Sequence, residues 1–139
     1  MYRISDLMTK QVVYLSADTP LDEAAKAMQD ADIGDVVVTD GSSIIGMVTD
    51  RDIVVRAVAE RKNPTSTSLG SIITREVVMI EQSSTAAEAA ALMRDRGVRR
   101  ILVCDADRRL VGIVSLGDLA MRMDASSTLE EISEQPPDA

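Results

Sequence analysis

The chain repeats itself. Thr9-Lys10-Gln11-Val12-Val13 returns as Thr74-Arg75-Glu76-Val77-Val78, and Glu23-Ala24-Ala25 with Met28 and Asp30 returns as Glu88-Ala89-Ala90 with Met93 and Asp95, both at an offset of 65 residues. One residue is added in the following turn. At an offset of 66, Gly46-Met47-Val48-Thr49-Asp50-Arg51-Asp52 then lies over Gly112-Ile113-Val114-Ser115-Leu116-Gly117-Asp118. Fixed-period self-similarity restricts the fold to two copies of one supersecondary unit, each too small to bury its own apolar face well.

Within each copy the pattern predicts strand, helix, strand, turn, strand, helix. Val12–Leu15 and Val77–Ile80 have β-branched, apolar composition at strand length. Thr19-Pro20 reads as a helix start, with Thr19 as cap and Pro20 in the first turn, and Ser84-Thr85 as its counterpart. Val36–Thr39, the Asp40-Gly41 turn and Ile44–Thr49 form a hairpin, matched by Ile101–Cys104 and Leu110–Ser115. Helices follow at about 50–60 and 116–123, and the short helix Leu69–Ile73 mirrors Ile4–Met8. The expected division is residues 1–62 for the first repeat, 63–68 for a polar linker, 69–123 for the second repeat and 124–139 for an acidic, flexible tail.

Composition removes several classes of function. The 139 residues carry 15 Lys+Arg against 23 Asp+Glu, for a net charge of −8, with no His, one Cys, two Tyr and no Phe or Trp. The core must therefore be aliphatic. Absence of His removes imidazole base catalysis and most zinc sites, and no phosphate-binding Gly-x-x-x-x-Gly-Lys-[Ser/Thr] loop is present. Neither an enzyme nor a resident metal or cofactor is expected. A single Cys104, read as a small buried strand residue, cannot form an internal disulfide. With no charged-then-apolar leader, a reducing cytoplasm is the expected compartment. No apolar run approaches the about 18 residues of a membrane span, so no membrane partner is expected.

The charge is unevenly spread. Residues 1–64 hold 7 basic and 11 acidic groups, 65–122 hold 8 and 7, and 123–139 hold 5 acidic groups alone. An acidic total argues against nucleic acid as a partner. Six of the basic residues (Arg94, Arg96, Arg99, Arg100, Arg108 and Arg109) nevertheless cluster in one stretch.

Gly46-x-x-Thr49-x-x-Asp52 and Gly112-x-x-Ser115-x-x-Asp118 carry most of the chemistry. Each puts a hydroxyl at a strand-to-helix junction and a carboxylate three residues later. One reading is a capping box, in which hydroxyl and acid satisfy each other's backbone amides. The other is a ligand site: the hydroxyl donates to a sugar or phosphate oxygen, and the carboxylate accepts from both hydroxyls of a ribose.

The duplication, the Asp6-Leu7-Met8-Thr9 opening and the paired Gly-x-x-[Ser/Thr]-x-x-Asp endings resemble a tandem pair of cystathionine β-synthase (CBS) domains, a Bateman module of the stand-alone bacterial type. The resemblance covers residues 1 to about 123, and Gly112–Leu119 is similar to the end of a repeat in the γ subunit of AMP-activated protein kinase. It implies an α/β (α+β) fold of two β-α-β-β-α repeats packed with pseudo-twofold symmetry. The implied partner is an adenosine-containing small molecule: AMP, ADP or ATP first, alone or with Mg, and NAD or S-adenosylmethionine as alternatives. Asp52 and Asp118 would meet ribose, Thr49 and Ser115 ribose or phosphate. The adenine slot would be aliphatic, built from residues 9–13 and 74–78 (Thr9, Val12, Thr74 and Val77 among them) with Met47 and Ile113.

In the kinase subunit a basic pair on the second strand of one repeat reaches the phosphate of a nucleotide held by the other repeat. Arg99 and Arg100 match that pair, which implies service to a ligand at Thr49 and Asp52, with Arg51 as an added contact. Gly34 and Asp35 occupy the equivalent positions in the first repeat, so charged ligands should be weaker at Asp118. Val37 and Leu102 stand where many members have proline. The expected function is a non-catalytic, energy-sensing regulatory module acting on an unknown protein target. Homodimers would form through helices, with Met28, Met93, Met121 and Met123 as candidate interface residues or, equally, core residues. The alternative is an interaction or scaffold module whose clefts are vestigial.

Overall fold

The computed structural model describes residues 2–121; the expected tail at 124–139 and Met123 lie outside them. The chain divides into two compact units, one made of Gln11–Val77 and the other of Met1–Lys10 with Val78 onward. The first ten residues thus belong with the second repeat, although their sequence precedes the first.

In the Gln11–Val77 unit, β1 (Tyr14–Ser16) pairs in parallel with β2 (Asp35–Asp40), which pairs antiparallel with β3 (Ser43–Thr49). Helix α2 (Leu21–Ala31) connects β1 to β2, and α3 (Asp50–Ile53) continues into a π-helical turn, Val54–Val58. The other unit repeats the plan with β4 (Met79–Glu81), α4 (Ala86–Arg96), β5 (Arg100–Cys104), β6 (Leu110–Ser115) and helix over 116–121. Its leading piece is α1 (Ile4–Leu7), matched in the first unit by a 3-10 turn at Leu69–Ser71. This is the mixed α/β repeat architecture expected from the sequence.

Alternate strand positions supply the two cores, while β2 and β5 are buried on both faces, with Val37 and Leu102 at 0% exposure like their neighbours. Val36, Val38 and Val48 face α2, the π-helical turn and Leu69, whereas Ile101, Val103 and Val114 face α4, Ile4 and Leu119. Every buried side chain among the described residues is aliphatic or sulfur-containing, as the lack of aromatics requires. Met28 and Met93 belong to these cores at 6% and 3% exposure, so they are not interface residues; Met121 is 75% exposed. Cys104 is buried, its thiol directed at the carbonyl of Ile80.

Two boundaries move from their expected places. The ladder of the first strand begins at Tyr14 rather than Val12, and that of β4 at Met79 rather than Val77. The residues just before them still contribute: Val37 donates its amide to the carbonyl of Val13 and Leu102 to that of Val78, each at 2.9 Å. Proline at Val37 or Leu102 would lack that donor. The helix after β1 starts at Leu21 with Pro20 as N-cap, and Thr19 makes no side-chain cap. Linker carbonyls replace it, because Leu21 donates to Thr67 (3.0 Å) and Asp22 to Pro64 (3.1 Å).

Helix α4 follows the same rule with a different donor of carbonyls. Thr85, at the expected helix start, forms a capping box with Glu88, and Ala86 donates to the carbonyl of Tyr2 at 2.9 Å. Tyr2 and Thr67 are equivalent at the 65-residue offset, as are Ile4 and Leu69, both fully buried. Each repeat is therefore finished by the segment that precedes the other one. Truncating these anchors, Ile4→Ala or Leu69→Ala, is expected to cost about 2–5 kcal/mol. Urea titration followed by circular dichroism measures it, and a loss below about 1 kcal/mol would contradict the role assigned to the leading segments.

Candidate functional site

At the end of β3, Thr49 turns the chain into α3. Its Oγ1 accepts from the amide of Asp52 at 3.0 Å, and Asp52 Oδ2 accepts from the amide of Thr49 at 2.9 Å. Ser115 and Asp118 repeat the arrangement at 3.0 and 3.1 Å. The capping box is formed in both repeats. It uses the hydroxyl as an acceptor and one carboxylate oxygen, which leaves the O–H proton and Oδ1 for other partners. Among the described residues, Oδ1 of Asp52 has one facing cation: Arg56 Nε at 3.9 Å, with the Asp52 side chain 17% exposed.

The incoming backbone forms the next wall. Met47 and Thr74 exchange two hydrogen bonds of 3.0 Å, and Thr9 and Ile113 exchange two of 2.8 and 3.0 Å. Glycine in the repeated motif is required by this approach. A Cβ on Gly46 would stand 2.5 Å from the carbonyl oxygen of Thr74, and one on Gly112 would stand 2.6 Å from Met8 Sδ and 2.9 Å from the Thr9 carbonyl oxygen.

The structure therefore gathers Met47, Thr49, Asp52 and Thr74 in one unit, and Ile113, Ser115, Asp118 and Thr9 in the other. Thr9 sits with the hydroxyl–acid pair of the second repeat and Thr74 with that of the first, the reverse of their order in sequence. Val12 and Val77 are half-buried residues at the edges of the Gln11–Val77 unit. Met47 and Ile113 are buried at 8% and 3%. Arg51 is exposed and its amide donates to Asp50 Oδ1 at 2.8 Å. Arg99 precedes β5 and Arg100 opens it, exposed and half-buried respectively, in the unit that does not contain Thr49 and Asp52. Backbone symmetry extends to these positions: Leu116 donates to the carbonyl of Arg99 (2.8 Å) as Asp50 does to that of Gly34 (2.9 Å).

Arg56 was not singled out from the sequence. Its Nη1 donates to the carbonyls of Ile72 (3.0 Å) and Ile73 (3.2 Å) while Nε faces Asp52. A signal existed, because Asp52-x-x-x-Arg56 returns as Asp118-x-x-x-Arg122 at the 66-residue offset. Arg122 lies outside the described residues.

The family model "CBS domain" matches twice, at residues 4–58 and 69–125. The chain belongs to the CBS domain family. Its CBS repeats are similar to YlbB, an uncharacterised protein of Bacillus subtilis (strain 168), at 38% identity over 140 residues, covering 96% of this chain and 93% of YlbB. Among solved structures, the CBS-domain protein ATU1752 from Agrobacterium tumefaciens is 31% identical with a TM-score of 0.72, covering 86% of this chain and 90% of that one. The CBS domain pair of protein MJ0100, solved in complex with 5′-methylthioadenosine and S-adenosyl-L-methionine, shares the fold at 24% identity and a TM-score of 0.76, over 91% and 98% of the two chains. Among the described residues of this CBS pair, no helix is long and apolar enough to cross a membrane and no group of three or more Cys, Asp or Glu is placed to hold a metal ion.

The glycines rank differently for substitution. Gly46→Ala forces a carbonyl to move and should cost about 1–3 kcal/mol. At Gly112 the tightest neighbour is the flexible thioether of Met8, so Gly112→Ala is expected to be the milder change. Thermal melts of the two variants check the order; a larger drop for Gly112→Ala would contradict it.

Proposed function

We propose that this CBS pair is a non-catalytic regulatory module that binds an adenosine-containing molecule, with the adenine nucleotides AMP, ADP and ATP as its first-choice ligands. The carrying observation is the half-used capping box: after Thr49 and Asp52 have satisfied the backbone, a hydroxyl proton and one carboxylate oxygen remain beside the Met47–Thr74 pairing. A ribose offers two hydroxyl donors to such a carboxylate. The apolar Met47 supplies surface for a base, and Ser115, Asp118 and Ile113 repeat the set. The ligands named for the MJ0100 pair both contain adenosine, which agrees with this class while the likeness itself speaks for the fold. NAD and S-adenosylmethionine present the same ribose and are the next candidates.

The exposed Val54 (56%), Val55 (49%) and Val58 (64%) favour pairing of two copies through the helices, with Leu116 (45%) and Met121 contributing from the other repeat. The module would act on a protein target in trans, in a reducing cytoplasm that suits its single buried thiol. A second reading has its own support: because both capping boxes are complete, the hydroxyl–acid pairs have a structural use without a ligand. An interaction module with vestigial sites would look the same there.

Titration calorimetry with AMP, ATP, NAD and S-adenosylmethionine at about 100 μM protein separates the two, since micromolar binding registers clearly at that concentration. Heat with none of them would leave the interaction module standing. For AMP, Asp52→Ala is expected to weaken binding by about tenfold or more, the size of a charge-assisted hydrogen bond. Asp118→Ala should have the smaller effect. Equal losses contradict that asymmetry. Replacing both Arg99 and Arg100 by Ala should weaken AMP while leaving adenosine unchanged; parallel losses would mean that the pair does not serve the phosphate.

A further inference from the structure

Arg56 sits in the middle of the π-helical turn Val54–Val58. That turn is wider than an α-helix, since Ala59 donates to the carbonyl of Val54 and Lys62 to that of Ala57, each five residues back at 2.9 Å. Turns of this kind concentrate at functional sites, where they change the aim of a side chain. Here the guanidinium is divided between two neighbours. Nη1 holds the carbonyls of Ile72 and Ile73, and Nε faces the Asp52 oxygen that the capping box leaves over. The next residue, Thr74, is the one paired with Met47.

The side chain is 46% exposed, so its value to the apolar core is small, and exposed ion pairs contribute little to stability. Its geometry is the informative part. A planar fork with five donors can span two carbonyls and a carboxylate together, which an ammonium cannot.

We propose that Arg56 is a positioning residue that couples an occupant of Asp52 to the backbone segment 72–74. The coupling rests on the reading of Asp52 as a ribose acceptor. A diol bound to Oδ1 fixes the carboxylate against Nε, the guanidinium then holds Ile72 and Ile73 more firmly, and the Thr74–Met47 pairing tightens. Thr74 is four residues before Val78, where the chain enters the other unit, so occupancy in one repeat is passed along the backbone toward the other.

Amide hydrogen exchange and AMP titration on the full chain test this. In the free protein, Arg56→Met is expected to speed exchange of the Thr74 and Met47 amides about tenfold, the loss of a hydrogen bond to a charged group. The Gln82 amide, bonded to the carbonyl of Cys104 within the other unit, serves as the unaffected control. Saturating AMP should slow Thr74 exchange in the parent protein and fail to do so in Arg56→Met and in Arg56→Lys, which keeps the charge but not the fork. AMP affinity should fall in Arg56→Met while that of 2′,3′-dideoxy-AMP, which lacks the diol, is unchanged. Parent-like exchange at Thr74 together with an intact AMP response in Arg56→Met overturns the proposal. Absence of AMP binding by the parent protein defeats the ribose reading and the coupling with it; faster exchange in free Arg56→Met would then still establish the clamp on residues 72–74.

Discussion

The structure depends on an exchange of leading segments. Helix α2 receives its missing acceptors from Thr67 and Pro64, and α4 receives one from Tyr2. Each case matches orphan helix amides with carbonyls delivered from far away in sequence. The same segments bury Leu69 and Ile4 in the two cores, then run on to pair Thr74 with Met47 and Thr9 with Ile113. Capping, packing and the wall of the candidate site are three results of one path of the chain. Gly46 and Gly112 are small because that path passes directly over them.

Against this backbone, the hydroxyl–acid pairs do not have to be either structural or functional. A carboxylate has two oxygens and a hydroxyl has both a proton and lone pairs. The capping box consumes one side of each and orients the remainder. A ligand would meet groups already held in place, and ordering them would cost little of its binding energy. Arg56 adds to this fixity by facing the free oxygen of Asp52 from within the same unit.

Much of this was legible in the residues. The 65-residue duplication located every strand and helix to within a few positions, and the Asp-Gly turn and the Thr85 cap came out as read. What failed was anything dependent on partners distant in sequence. Thr19 has cap chemistry, yet Pro20 took the cap position because linker carbonyls were already at the helix end. For Met28 and Met93 core and interface stayed equally open, since a helical period does not reveal which side the sheet will occupy; both are core. Thr9 and Thr74 are equivalent in the repeat, but local pattern carries no information about which unit a leading segment will join. Arg56 was missed because its carbonyl partners lie sixteen and seventeen residues away.

The traded segments also bear on where such a chain could come from. A single repeat without the segment that finishes it would have helix amides without acceptors and a gap in its core. Two identical short chains could each cure the other's defect by lending their first ten or so residues. A pair of reciprocal lenders is a closed, self-limiting assembly, and joining them end to end turns a concentration-dependent partnership into a permanent one. On this view, the polar stretch at 63–68 is the splice, and the two-repeat chain is a dimer that can no longer dissociate.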